Sequence, residues 1–148
     1  MTIWVYAVAA VAIAGAVILG VANFGGGAQA QNVTLEPLSG DALAADDSLL
    51  LVDIRTPEEW KQSGVVDGAL LVTYSTPEAF LQVVGPKLKP GQRIGLICRS
   101  GNRTSRAARQ LAPLFKGAIV DVQGGMNRVL GQGYRPVKPT RTQGCISC

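Results

Sequence analysis

Gln92-Arg-Ile-Gly-Leu-Ile-Cys98-Arg-Ser-Gly-Asn-Arg103-Thr-Ser-Arg-Ala-Ala-Arg-Gln-Leu-Ala-Pro-Leu-Phe115 reads as a strand, a tight loop and a helix. Arg93 to Ile97 is short and mostly apolar and follows the turn pair Pro90-Gly91, as a buried strand would. Thr104 to Phe115 lays Ala107, Ala108, Leu111, Ala112 and Phe115 on one stripe, with Arg106, Arg109 and Gln110 facing away. That is the pattern of an amphipathic helix. The loop between the two begins with a cysteine, Cys98.

A strand that enters a helix through a short loop points backbone N–H groups inward at the helix N-terminus. Such a site attracts anions and favours a thiolate over a thiol. Arg99 and Arg103 add fixed positive charge, and Gly101 supplies the backbone freedom of a tightly wound loop. Cys98 therefore reads as a nucleophile in an anion-binding cradle. The plain alternative is a buried structural cysteine at a strand end, and the Arg-Ser-Gly-Asn-Arg that follows it weighs against that.

Outward from this stretch, strands alternate with helices. Val33-Thr-Leu35 suits a short edge strand, and Ser39 caps a helix running to about Asp46. Ser48 to Ile54 is continuously apolar apart from Asp53, as a strand buried on both faces would be. Thr56-Pro57-Glu58-Glu59 starts a helix, with Thr as cap, Pro at the first position and Glu three after the cap. Asp67-Gly68 turns into a short apolar run, Ala69 to Val72. Ser75-Thr-Pro-Glu78 opens another helix ending near Gly85-Pro86. Ala118 to Val122 is the last strand, and Gly124-Gly125 turns it into a helix ending near Gly131. The fold class expected is α/β with a mostly parallel central sheet. Ligands in such sheets sit beyond the carboxyl ends of the strands. Cys98 and Arg55 both follow strands, so Arg55 is a candidate for the pocket wall; pairing with Glu58, Glu59 or another nearby acid is the alternative.

Cys98-Arg-Ser-Gly-Asn-Arg103 resembles the active-site loop of rhodanese-type sulfurtransferases, and the flanks agree in order. Leu51-Val-Asp-Ile-Arg55 with Pro57-Glu-Glu-Trp60 resembles the family's first-strand signature, and Gly64 with Gly68-Ala69 its glycine-rich turn. Val122-Gln-Gly-Gly-Met126 and Gly133-Tyr-Arg-Pro136 resemble its closing segment. Val65-Val66 stand where the turn usually carries a histidine, and Val129 where a tryptophan is common; the chain has no histidine. The resemblance implies a three-layer rhodanese-like domain over residues 33–136 with Cys98 as the catalytic residue. It implies Arg99, Ser100, Gly101, Asn102, Arg103 and Thr104 as substrate-binding residues for a small thiosulfate-like anion, beside Arg55, read from its place after a strand. Cyanide or a thiol would accept the sulfur, with no metal or organic cofactor.

Two other readings stay beside it. A cysteine phosphatase uses a similar cradle but needs an arginine six positions after the cysteine; that position is Thr104, with the arginine one earlier. A persulfide carrier or binding module at the membrane would use the same Cys98 without turnover.

Ile3 to Ala22 is twenty residues without a charge. As a helix that run is about 30 Å long, enough to cross a bilayer core. Residues 1–24 are thus read as a membrane anchor, or as a signal segment cleaved after Ala28-Gln29-Ala30, with 25–32 a linker. No Lys or Arg precedes the run, which leaves the amino terminus as the only positive group there. The domain is therefore expected outside the cytoplasmic membrane, on the periplasmic side.

Residues 1–92 hold nine acids and four bases, net −5; residues 93–148 hold one acid and ten bases, net +9. The basic half carries the Cys98 loop, so its field draws small anions. Nucleic acid is not expected, because the bases are not interleaved with aromatics. The tail, 137–148, has no packing pattern and is expected to be flexible, ending in Cys145-Ile-Ser-Cys148. Two cysteines without histidine make no zinc site. They are read as a local disulfide or, alternatively, as a redox pair that resolves or accepts sulfur from Cys98.

Overall fold

The computed structural model describes residues 31–148; the expected N-terminal anchor lies outside them. Five strands make the sheet: β1 Val33–Glu36, β2 Leu49–Asp53, β3 Leu70–Leu71, β4 Arg93–Ile97 and β5 Ile119–Val122. Five helices join them: α1 Gly40–Ala45, α2 Pro57–Ser63, α3 Pro77–Val84, α4 Asn102–Leu111 and α5 Gly125–Gly131. A 3₁₀ turn, Gly85–Lys87, follows α3.

The order across the sheet is β1-β5-β4-β2-β3, and every pairing between strands is parallel. The central strands are covered on both faces, which is why they read as apolar runs without alternation. On one face Ile54, Leu96 and Ile119 pack with Phe80 and Val84 of α3 and Ala107, Ala108 and Leu111 of α4. On the other, Leu49, Leu51, Val120 and Val122 pack with Leu43 of α1 and Met126 and Val129 of α5. Helices on both faces of a parallel sheet are the three expected layers.

The helix starts follow their local chemistry. Thr56 accepts from the Glu59 N–H at 3.4 Å, while the Glu59 carboxylate accepts from the Thr56 N–H at 3.1 Å, a reciprocal capping box with Pro57 in the first turn. Ser39 and Thr76 cap α1 and α3 in the same side-chain-to-backbone manner.

The structure departs from the sequence reading at two places. Helix α4 begins at Asn102, two residues before the expected Thr104, because Gly101 is the cap in a left-handed conformation (φ +95°) that needs no side-chain bond. It ends at Leu111 rather than Phe115, since Pro113 lacks the N–H that a further turn requires. The second difference is the tail, which is docked rather than flexible. Val65 and Val137 exchange backbone hydrogen bonds of 2.9 and 3.0 Å, and the Leu71 N–H donates to Gln143 O at 2.7 Å. Cys145 is fully buried against Trp60, Val65 and Leu71. The tail thus covers β3, one of the two edge strands of the sheet. Backbone bonds, buried Cys145 and half-buried Val137 hold it, too few side chains for a periodicity to announce it.

Candidate active site

Cys98 follows directly on β4 and is 1% exposed. The Gly101 N–H donates to its Sγ at 3.2 Å, and Sγ lies 3.8 Å from Thr104 Oγ1. The Thr104 hydroxyl in turn donates to Gly101 O at 2.8 Å, which closes the loop on itself. The sulfur therefore sits under the loop, at the carboxyl end of the central strand.

Helix α5 fixes which way the loop faces. The Met126 N–H donates to Cys98 O at 2.8 Å, and the Asn127 N–H to Arg99 O at 2.9 Å. In a planar trans peptide the C=O and the following N–H point in opposite directions. With both carbonyls turned to α5, the N–H groups of Arg99 and Ser100 point away from it. Gly124 and Gly125 make this approach possible: both have positive φ, and a Cβ on Gly125 would run into Cys98 O. The same two glycines carry the resemblance at Val122 to Met126, but their role as a clamp is a matter of contact that the sequence did not express.

The charged residues are placed less simply. Arg99 is exposed at the loop, as are Ser100 and Asn102. Arg103 is also exposed, but its guanidinium forks onto the Glu59 carboxylate at 2.8 and 2.5 Å. That hydrogen-bonded pair holds Glu59 below the usual carboxylate range, against the opposing effect of burial, and raises Arg103 further. Arg103 and Glu59 are 44 residues apart, and nothing in the sequence pairs them.

Arg55 stands in the wall of a cleft beside the loop and is already paired there with a nearby acid. It is 2% exposed, and its guanidinium binds Asp53 at 2.9 and 2.7 Å, Ser63 Oγ at 2.6 Å and Gly64 O at 2.7 Å, with Glu59 O at 3.4 Å. Every guanidinium donor is thus occupied within the protein. Arg55 is a strut tying β2 to the end of α2; the acid it pairs with is Asp53, not Glu58 or the Glu59 carboxylate.

Two clefts open beside the loop. One, of about 220 Å³, is lined by Arg55, Glu59, Gln62, Ser63, Arg99 and Asn127 among others, between α2 and α5. The other, of about 340 Å³, is lined by Thr56, Tyr74, Ser75, Arg103, Arg106 and Gln110 among others, between α4 and the segment before α3. The Glu59–Arg103 pair stands between them, with one member in each wall. Cys98 and Thr104 are in neither wall, so a substrate reaches the sulfur only at close quarters with the loop.

The family profile of the rhodanese-like domain matches residues 38–132, which contain the whole loop, both glycines of the clamp and the Glu59–Arg103 pair. The chain belongs to the rhodanese-like family. A protein named as a sulfurtransferase in Allochromatium vinosum is 32% identical over 97 residues, covering 66% of this chain and 86% of that one. An uncharacterised protein of Synechocystis sp. is 30% identical over 95 residues, covering 64% of this chain; the rhodanese-like chain spans only 50% of that relative's length. Among solved structures, a probable thiosulfate sulfurtransferase aligns at 29% identity with a TM-score of 0.50, covering 69% of this chain and 47% of that one.

Proposed function

We propose that this rhodanese-like domain is a sulfurtransferase that takes sulfane sulfur from thiosulfate or a similar small anion onto Cys98. The Cys98 thiolate attacks the donor's outer sulfur. A new S–S bond forms, the donor's own S–S bond breaks, and sulfite leaves with the bonding pair. A thiol or cyanide then attacks the outer sulfur of the persulfide, and the Cys98 thiolate is restored. Each step is a displacement at sulfur and is balanced without a cofactor.

The observation that carries the reading is the loop's orientation. The Gly101 N–H is already on Sγ, and the carbonyls of Cys98 and Arg99 are turned to α5, so the neighbouring amides are free to face an anion. Exposed Arg99 supplies a cation at the loop for an arriving donor. Arg103 serves the departing sulfite only after exchanging Glu59 for it, since its fork is occupied at rest. The relative named as a sulfurtransferase and the likeness to a probable thiosulfate sulfurtransferase favour the same chemistry. Thr104, buried beneath the loop, stands where a phosphatase needs its arginine, which weighs against phosphoryl transfer. We further propose that residues 3–22 tether the domain to the outer side of a membrane, on the strength of their uncharged run.

A carrier that is loaded without turnover shares every residue of this site, and the enclosure of Cys98 favours keeping it as the second reading. Steady-state thiocyanate production from thiosulfate and cyanide, set against single loading of Cys98, separates them. Turnover that disappears in Cys98→Ser supports the enzyme; one sulfur per chain with no turnover supports the carrier.

A further inference from the structure

The tail holds the chain's other two cysteines, and the site at Cys98 makes no use of them. Cys145 and Cys148 form a disulfide three residues apart, and the two sulfurs have opposite surroundings. Cys145 is fully buried on Trp60, Val65 and Leu71, whereas Cys148 is exposed two residues after Ile146, itself 87% exposed. From these positions we infer that Cys145–Cys148 is a thiol-exchange site, reduced by an external dithiol that attacks Cys148.

The burial sets the direction. A nucleophile arriving from solvent meets only the Cys148 sulfur, so Cys145 is the leaving group. In the first step an external thiolate bonds to Cys148 Sγ, the Cys145–Cys148 bond breaks, and Cys145 departs with the electron pair and takes a proton. Cys145 then waits three residues from the mixed disulfide, close enough to displace the newcomer and restore the ring. A monothiol is expelled by that return. A dithiol instead attacks its own mixed disulfide with its second sulfur and leaves oxidised, and Cys148 departs with the pair and takes a proton. Two electrons pass from the dithiol to the tail.

The disulfide is not placed as a global staple. Its ring is among the shortest a chain can form, so it constrains the unfolded state little. It closes the last turn of the segment that covers β3, and its buried sulfur sits against Trp60. Trp60 is the neighbour in sequence of Glu59, the partner of Arg103, so the tail's seat and the active-site pair share α2. Reduction frees the tail's end and loosens its cover over the edge strand.

The test uses the full chain carrying Cys98→Ser, so that only the tail thiols are counted. The oxidised protein is treated under native conditions with dithiothreitol or, at equal thiol concentration, 2-mercaptoethanol. Free thiols are trapped with a maleimide and mapped by mass. The dithiol should reduce the pair at least about ten-fold more completely than the monothiol, because its second attack is intramolecular and outruns the return of Cys145. The mixed disulfide caught by an acid quench of the 2-mercaptoethanol reaction should sit on Cys148, and trypsin should cut after Arg141 faster once the pair is reduced. Equal action of the two reagents, a mixed disulfide on Cys145, or reduction only in denaturant would each overturn the exchange site. Unchanged cleavage after Arg141 in fully labelled protein would overturn the disulfide's hold on the tail. None of these readouts depends on sulfur transfer at Cys98.

Discussion

Arg55 and Arg103 show how two arginines near one cysteine come to do different work. Arg55 is desolvated and spends its charge on buried Asp53. Removing one partner of a buried pair leaves the other charge uncompensated, at a cost of about 3–5 kcal/mol. Arg55→Met should therefore lose stability on that scale in urea unfolding, as a folding defect rather than a binding one. A variant of normal stability with a raised KM for thiosulfate would instead make Arg55 a substrate-binding residue of the cleft it lines. The Glu59–Arg103 pair is partly open to water, with side chains 24% and 43% exposed, so solvent screening keeps its worth to the fold at about 1 kcal/mol. Its pH dependence has a definite sign. Glu59 is lowered by the hydrogen bond from Arg103, so the pair's contribution is complete above the unfolded carboxyl value and fades as pH falls through the lower folded one. Glu59→Gln should trail the wild type in urea stability at pH 7, with the gap closing in acid; a gap that widened toward acid would contradict the pairing.

Among the elements, α5 matters most to the site although it holds no reacting group. Its first N–H groups take the carbonyls of Cys98 and Arg99, and its Gly125 lies where a methyl group would strike Cys98 O. Gly125→Ala should lower the melting temperature and slow Cys98 loading together, with a cost of about 1–3 kcal/mol from strain at a positive φ alone. Loading that stayed normal would mean that the clamp does not orient the loop. Strands and helix starts were legible in the sequence for local reasons: buried strands leave apolar runs, and Thr56-Pro57-Glu58-Glu59 states a capping box within four residues. The reactive loop was legible because its cysteine, glycine and arginines are contiguous. The clamp, the Glu59–Arg103 fork and the docking of Val137 to Cys148 were not, because each joins groups distant in sequence through backbone bonds or one side chain. The early start of α4 was hidden for a related reason, since Gly101 caps it by conformation alone.

At the scale of the molecule, three regions are joined on one chain: an uncharged segment at 3–22, the parallel-sheet domain and a tail folded back on the sheet's edge. Among the described residues no helix is long and apolar enough to cross a membrane, so the proposed tether is the first segment. The full chain is expected in the membrane fraction and to resist extraction by high salt. A mature protein whose sequence begins at Gln31, recovered in the soluble fraction, would show cleavage instead. Cys145→Ser with Cys148→Ser should leave thiosulfate loading of Cys98 unchanged, because the cradle is complete without the tail. The central claim is that Cys98 carries sulfane sulfur, and intact-protein mass after thiosulfate treatment, followed by peptide mapping, tests it most directly. The expected result is one added sulfur atom on Cys98, released by cyanide and absent from Cys98→Ser. No added sulfur, together with Cys98-dependent phosphate release from an aryl phosphate, would contradict it.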